Sequence, residues 1–273
     1  MRIQKFAAAV SFGLLAATSA MANPVVYNLA LPNISTFDNT ITGTGAAVTT
    51  AKVTDGVSVY NYIDLGGNPA TVTVTRTSNG SAAVASGGYS SGSQSLSGSV
   101  WNINPSNAQG AGGGANGKPN IDGYYSGLTF TFSSPVNAFG FEIGDWATCC
   151  TTNTRSAAVQ SAYGAAATGS GLWIAFDGGA ATLPANALSA SDNPGYALDG
   201  SFTNFIGAID ASSTFSKITF FGDGFGEFLV AGGTLRFASV KIGSVGNLPE
   251  PGSIALVGLA IAGLAVARRR KAA

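Results

Sequence analysis

The chain has 273 residues, of which 45% are hydrophobic and only 10% charged, and it contains 38 glycines and no histidine. The lack of histidine excludes Ser-His-Asp and Cys-His catalysis and removes the commonest zinc ligand. Between Asn23 and Leu248 there are twelve acidic and seven basic residues, and this net charge of −5 excludes nucleic acid as a ligand because phosphates would be repelled.

The N-terminus has the three-part pattern of a secretory signal peptide. Arg2 and Lys5 precede an apolar stretch at residues 6–17, and small residues follow it. This stretch is shorter than the ~20 residues of a membrane-spanning helix, which disfavours the alternative of a permanent anchor. We therefore predict cleavage between Ala22 and Asn23 and export of the rest of the chain.

Short segments after the signal peptide alternate apolar with polar residues. The period of two is clearest at 71–76 and 128–132 and is typical of half-buried strands. Paired glycines at 178–179 and 232–233 lie where hairpin turns would need positive φ. Further strands are predicted at 138–143, 172–176, 202–209, 217–221, 227–231 and 234–242. Apart from the two ends of the chain, no segment shows a helical period with caps.

These strands predict an all-β fold, an antiparallel two-sheet sandwich of jelly-roll type. The Ser/Gly-rich segments 78–99 and 109–118 are predicted to be long loops. Gly112–Lys118 also has P-loop spacing, but Pro119 stands where Ser or Thr should bind Mg²⁺. Proline in addition lacks a backbone N–H, so we interpret this segment as a loop without a nucleotide.

The only two cysteines, Cys149 and Cys150, are adjacent. Neighbouring Cα atoms are about 3.8 Å apart, below the usual disulfide range of ~4.4–6.8 Å, so a bond between them would be strained. We predict this vicinal disulfide because an oxidising compartment offers neither thiol another partner in the chain. Its role is open between a structural turn, a ligand-contacting knuckle and a redox switch, and intermolecular bridges are the alternative. Nearby Trp146 is predicted to fill the core rather than stack on a sugar.

Six acidic residues lie near predicted strand ends or turns: Glu142, Asp145, Asp177, Asp210, Asp223 and Glu227. Carboxylates suit Ca²⁺, which takes six to eight oxygen ligands, but the spacing matches no EF-hand, and turn capping is the alternative role. Glu142 and Glu227 are the only glutamates between residues 23 and 248, so they would be the carboxylate pair of a glycosidase. The metal ligands stay undecided, and no cofactor is predicted.

The C-terminus combines a Pro-Glu-Pro triad, an apolar run at 254–267 and a basic cluster. As a helix the run would be about 21 Å long, short of a ~30 Å hydrocarbon core, and the basic cluster should stay cytoplasmic. The order resembles the PEP-CTERM sorting signal of Gram-negative bacteria. The resemblance rests on Pro249, Glu250, Pro251, Arg268, Arg269 and Arg270. It implies recognition by an exosortase, cleavage near the triad and export in an organism that produces exopolysaccharide; a plain tail anchor is the alternative.

The segment 135–244 also resembles a domain found in other PEP-CTERM proteins. The phrases that carry this resemblance are 139–146 (FGFEIGDW) with the following Ala-Thr-Cys-Cys, 174–179 (IAFDGG), 205–210 (FIGAID), 220–227 (FFGDGFGE) and 231–235 (AGGTL). The resemblance implies a β-rich extracytoplasmic domain and no particular activity.

Three regions follow: a signal peptide at 1–22, a β-sandwich at 23–248 and a sorting tail at 249–273. Our leading hypothesis is a non-enzymatic surface or matrix protein whose partners are the exosortase, the secretion machinery and exopolysaccharide. The tail would hold it in the inner membrane at least transiently. The alternatives are a carbohydrate-binding module supported by Ca²⁺ and a glycan-active enzyme.

Overall fold

The computed structural model describes residues 24–77, 80–91, 94–103, 127–146, 157–179, 181–192, 199–222 and 229–244. Within these ranges the chain forms two β-sheets packed face to face, which confirms the predicted antiparallel sandwich. The strands are β1 (Val25–Ala30), β2 (Thr49–Lys52), β3 (Val59–Ile63), β4 (Pro69–Arg76), β5 (Ser86–Ser91), β6 (Gln94–Ile103), β7 (Gly127–Val136), β8 (Ala138–Asp145), β9 (Ser170–Phe176), β10 (Thr182–Ala187), β11 (Asp199–Gly200), β12 (Asn204–Ile209), β13 (Phe215–Gly222) and β14 (Leu229–Ala238). The helices are α1 (Ser35–Thr42) and α2 (Ala157–Tyr163), with 3-10 turns at Leu31–Asn33 and Ala190–Asp192.

The larger sheet has eight strands in the order β1-β12-β8-β14-β6-β11, with β2 also paired to β14 and β5 to β6. The smaller sheet has six strands in the order β10-β9-β13-β7-β4-β3. Among these pairs, only β11 and β6 run parallel. The consecutive strands β7 and β8, β12 and β13, and β13 and β14 lie in opposite sheets, so the chain crosses repeatedly between the layers.

Aromatic side chains from both sheets fill the space between them. The Phe130 ring of β7 lies 4.7 Å from Phe139 and 5.2 Å from Phe141, both on β8 of the opposite sheet. The same ring contacts Phe220 of β13 edge-on at 5.9 Å. Trp146 is only 3% exposed and belongs to this core, which confirms its predicted core role.

The period-two segments are confirmed as strands, since 71–76 lies in β4 and 128–132 in β7. The glycine pair 178–179 does connect β9 to β10, with Gly178 at φ +76°. The prediction of a hairpin at 232–233 is wrong, because both glycines lie inside the ten-residue strand β14. The positive φ of Gly233 serves a bulge, where the register between β14 and β8 shifts.

The predicted loop at 78–99 is also wrong, because β5 and β6 pair there as an antiparallel hairpin. Serine and glycine conceal the strand pattern, but Tyr89, Leu96 and Val100 are buried in a small cluster on the outer side of the larger sheet. The hairpin therefore extends the larger sheet, in which β6 pairs with β14.

Two short helices were missed by the sequence analysis. Helix α1 buries Phe37 and Ile41, which are four residues apart and pack on the outer face of the larger sheet. Tyr163 at the end of α2 packs edge-on against Trp173 of the smaller sheet. Each helix has only about two turns, too few for a hydrophobic period to be recognised.

Several predicted features lie outside the described residues. They are the signal peptide with Ala22 and Asn23, the segment 109–119, Cys149 and Cys150, Asp223, Glu227 and the tail from Pro249 to Arg270. In the part of the chain that the structure describes, no helix is long and apolar enough to cross a membrane.

Candidate functional site

Three of the phrases on which the predicted resemblance at 135–244 rests lie on neighbouring strands. The phrase 139–146 runs along β8 into Trp146, the phrase 205–210 runs along β12 into Asp210, and 231–235 lies on β14, so β8 is flanked by the other two. Phe139 and Phe141 point into the core. Because side chains alternate along a strand, Gly140 and Glu142 face outwards. The outer face of these three strands is therefore the candidate site.

Glycines on this face make room for the ring of Phe205. A Cβ atom on Gly140 would lie 2.2 Å from Phe205 Cζ, and one on Gly207 would lie 2.8 Å from the same atom. No real Cβ contact is that short, so neither position accepts a side chain without displacing the ring. Gly140 and Gly207 therefore have a packing role, which the sequence of 139–146 and 205–210 did not indicate.

Glu142 is the outward-facing acid of β8, and its side chain is only 15% exposed. Its carboxylate fits against Gly233, where a Cβ atom would lie 2.1 Å from Oε2. Burial raises the pKa of Glu142 above its ordinary value of 4.5, against the opposing effects of Arg236 and of hydrogen bonds from Thr234. Ionised Glu142 is thus partly, not fully, compensated by its neighbours.

Arg236 of β14 lies between two carboxylates. Its Nη1 is 3.9 Å from Glu142 Oε1, and its Nε is 3.2 Å from Asp38 Oδ1 on α1. The guanidinium carbon also lies 5.7 Å from the centroid of the Phe205 ring. The guanidinium group of Arg236 therefore connects α1 to β14 and β8 through electrostatic contacts.

Asp38 and Arg236 were not among the site residues predicted from the sequence. The sequence does contain a signal for Arg236, because it is the single charged residue of its strand. A charged residue in such a strand needs a partner of opposite charge when it is buried.

The other predicted acids lie at separate places. Asp210 Oδ1 accepts hydrogen bonds from the N–H groups of Ser212 and Ser213, and Asp177 Oδ1 accepts them from Ser216 and Lys217. Asp210 therefore caps a turn, whereas Asp177 links the end of β9 to the main chain at the start of β13. Asp145 Oδ2 accepts a hydrogen bond from the Tyr89 hydroxyl at 3.3 Å. Within the described ranges, no three His, Cys, Asp or Glu residues could hold a metal ion together.

A second surface is formed by the outward side of β4 and β7 in the smaller sheet. Thr73 pairs with Thr131 and Thr75 with Thr129, and the Thr71 N–H donates to Ser133 Oγ at 2.9 Å. Hydroxyls on such a surface recur about every 6.8 Å along a strand and ~4.8 Å across strands. We call this surface the threonine face, and its members are Thr71, Thr73, Thr75, Thr129, Thr131 and Ser133.

No carboxylate belongs to the threonine face, and Lys217 borders it opposite Thr131. No aromatic ring belongs to it either, and the three tryptophans of the chain are all buried. The surface can therefore contact a ligand through hydroxyl and methyl groups rather than by ring stacking.

Comparison with known proteins identifies the tail. Residues 247–271 match the family described as the PEP-CTERM protein-sorting motif, which confirms the resemblance found in the sequence. The motif indicates bacterial export, membrane-associated sorting and processing by an exosortase. No curated protein and no solved structure matches the chain.

Proposed function

We propose that the protein is a non-enzymatic component of the cell surface or exopolysaccharide matrix of a Gram-negative bacterium. The observation that carries this proposal is the order of the two parts: a β-sandwich described to residue 244, followed at once by the sorting motif at 247–271. In such a chain the sandwich is exposed outside the cell, and the exosortase processes the tail. Its partners would be the exosortase, the secretion machinery and exopolysaccharide.

The contacts of the described acids support a role without catalysis. Glu142 is held by Arg236 and Thr234, while Asp177 and Asp210 accept hydrogen bonds from main-chain N–H groups. A glycosidase needs two carboxyl groups free to flank the scissile bond. Glu142 instead shares Arg236 with Asp38, so we propose that the sandwich works by binding and needs no cofactor.

The threonine face favours carbohydrate binding as the more specific form of this role. Rows of hydroxyls can exchange hydrogen bonds with those of an extended glycan, and the threonine methyl groups can contact sugar C–H groups. Without aromatic platforms each contact would be weak, so such a surface suits a long polymer with many repeats. The alternative module supported by Ca²⁺ predicts instead that binding requires the metal.

The test is retention of the exported protein on exopolysaccharide purified from the producing strain, measured with and without calcium. The variant T73V/T131V removes two hydroxyls from the threonine face, and T50V removes an exposed hydroxyl from the opposite sheet as a control. We expect calcium-independent retention that T73V/T131V weakens and T50V does not. No retention of the wild-type protein would contradict matrix binding, and retention only with calcium would favour the alternative module.

A further inference from the structure

Strand β3 is the last strand of the six-stranded sheet, and within the residues that the structure describes one of its edges is open. Among the described strands it is paired only with β4. The Ser58 carbonyl accepts a hydrogen bond from Val74 N–H, and Asp64 N–H donates to the Asn68 carbonyl, both towards β4. Because main-chain groups alternate along an antiparallel strand, those of Val59, Asn61 and Ile63 point away from β4, to the open edge.

The open edge lacks the usual protection against pairing. At the other end of the sheet, β10 contains Pro184 and a bulge, and in the larger sheet β11, one of the end strands, has only two residues. Strand β3 has no charge, no proline and no bulge, and Val59 and Ile63 are each 48% exposed. Such an edge is a template for another strand.

The sequence of β3 is complementary to itself. Val-Tyr-Asn-Tyr-Ile reads almost the same in both directions, so an antiparallel pairing centred on Asn61 places Val59 opposite Ile63 of a second copy. The main-chain groups of Val59, Asn61 and Ile63 would then form three hydrogen-bonded residue pairs with the second copy, each with two hydrogen bonds. Asp64 would lie opposite Ser58 of the second copy, so no carboxylates would meet across the interface.

We propose that two copies of this chain associate through their β3 edges about a two-fold axis that passes beside Asn61. The two six-stranded sheets become one continuous sheet, and the interface is isologous because each copy contributes the same strand. Side chains keep their face in such a pairing, so the threonine faces of both copies lie on one side. The proposal is independent of matrix binding, since it rests on β3 alone.

The test is sedimentation velocity of the protein as cells export it, over a range of concentrations. Residue 61 meets itself across the axis, so N61K places two like charges together, while T131K adds the same charge to an inner strand of the same face. We expect concentration-dependent dimers of the wild type and of T131K, and monomers of N61K. Circular dichroism checks that both variants are folded.

A mixture of variants makes the register of pairing testable. N61E alone should be monomeric, and an equal mixture of N61E and N61K should restore the dimer, because opposite charges then meet across the axis. A monomeric wild type at every concentration would overturn the proposal. So would a dimer that N61K leaves unchanged, since the association would then use another surface, such as the C-terminal tail.

Discussion

Glu142 shows how one residue can be held in place at an electrostatic cost. Its carboxylate is buried beside Gly233, and its distance of 3.9 Å from Arg236 is too long for a strong ion pair. The sequence predicted the strand at 138–143 in which Glu142 lies. It could not predict Asp38 and Arg236 as neighbours, because 94 residues separate Glu142 from Arg236 and only the folded sheet brings them together.

The raised pKa of Glu142 predicts a pH-dependent effect of the variant E142Q. A carboxyl group whose pKa is higher in the folded than in the unfolded protein binds protons more tightly when folded. It therefore lowers the free energy of unfolding as pH rises from about 4.5 through the folded pKa. The neutral amide lacks this effect, so E142Q should gain stability relative to wild type as pH rises above about 4.5.

The measurement is urea unfolding of wild type, E142Q and D192N from about pH 2 to about pH 8. Asp192 supplies a control of opposite sign, because hydrogen bonds from the N–H groups of Leu188 and Ser189 lower its pKa. Its contribution to stability is lost as pH falls through a folded pKa below 3.8, so D192N should lose stability relative to wild type as pH rises through that region. A constant difference between E142Q and wild type at all pH values would show that Glu142 is ionised without penalty.

The strands differ in how clearly the sequence predicts them. The strands at 71–76 and 128–132 alternate Val or Phe with Thr, and this pattern records directly which face is buried. The hairpin β5–β6 was hidden because serine and glycine fill its exposed side. Strand β14 was divided in two because a glycine with positive φ serves a bulge as readily as a turn.

The connection between β3 and β7 depends on one hydroxyl group. Tyr62 on β3 donates a hydrogen bond to the Ser134 carbonyl and accepts one from the Ser134 N–H at 3.1 Å. Its ring also stacks on Phe237 of the other sheet at 5.4 Å. Y62F keeps the ring but leaves both main-chain groups of Ser134 without this partner, so we expect a loss of about 1–3 kcal/mol in the free energy of unfolding.

Tyr60 on the same strand provides the matched control, since its hydroxyl donates a hydrogen bond to the Val57 carbonyl only three residues away, at 3.0 Å, and does not join separate strands. Y60F should therefore cost less than Y62F in chemical denaturation. An equal loss in the two variants would mean that the hydrogen bonds to Ser134 contribute nothing beyond those of an ordinary buried tyrosine.

For the molecule as a whole, the ends of the chain were more informative than the domain between them. A signal peptide and a sorting tail are read by the cell as linear patterns of charge and apolar residues, so a sequence displays them directly. A binding surface such as the threonine face depends on the register of separate strands. In the sequence its threonines cannot be distinguished from ordinary strand residues. Only the pairing of Thr73 with Thr131 shows that they share one surface.

The pairing of Cys149 with Cys150 stays a prediction from their adjacency. Both cysteines follow Trp146, the last described residue of that segment. Thiol labelling of the native protein before and after reduction would show whether the pair is bonded within one chain.

Intact mass spectrometry of the protein recovered from the cell surface tests sorting by an exosortase, on which the proposed function depends. We predict a chain that begins at Asn23 and lacks Arg268 to Lys271, because the signal peptide is removed on export and the tail is cleaved near Pro249–Pro251. A variant with alanines at Pro249, Glu250 and Pro251 should keep the basic cluster and stay with the membrane. A surface-exposed wild-type chain that retains Arg268 to Lys271 would contradict sorting by cleavage and would indicate a plain C-terminal anchor.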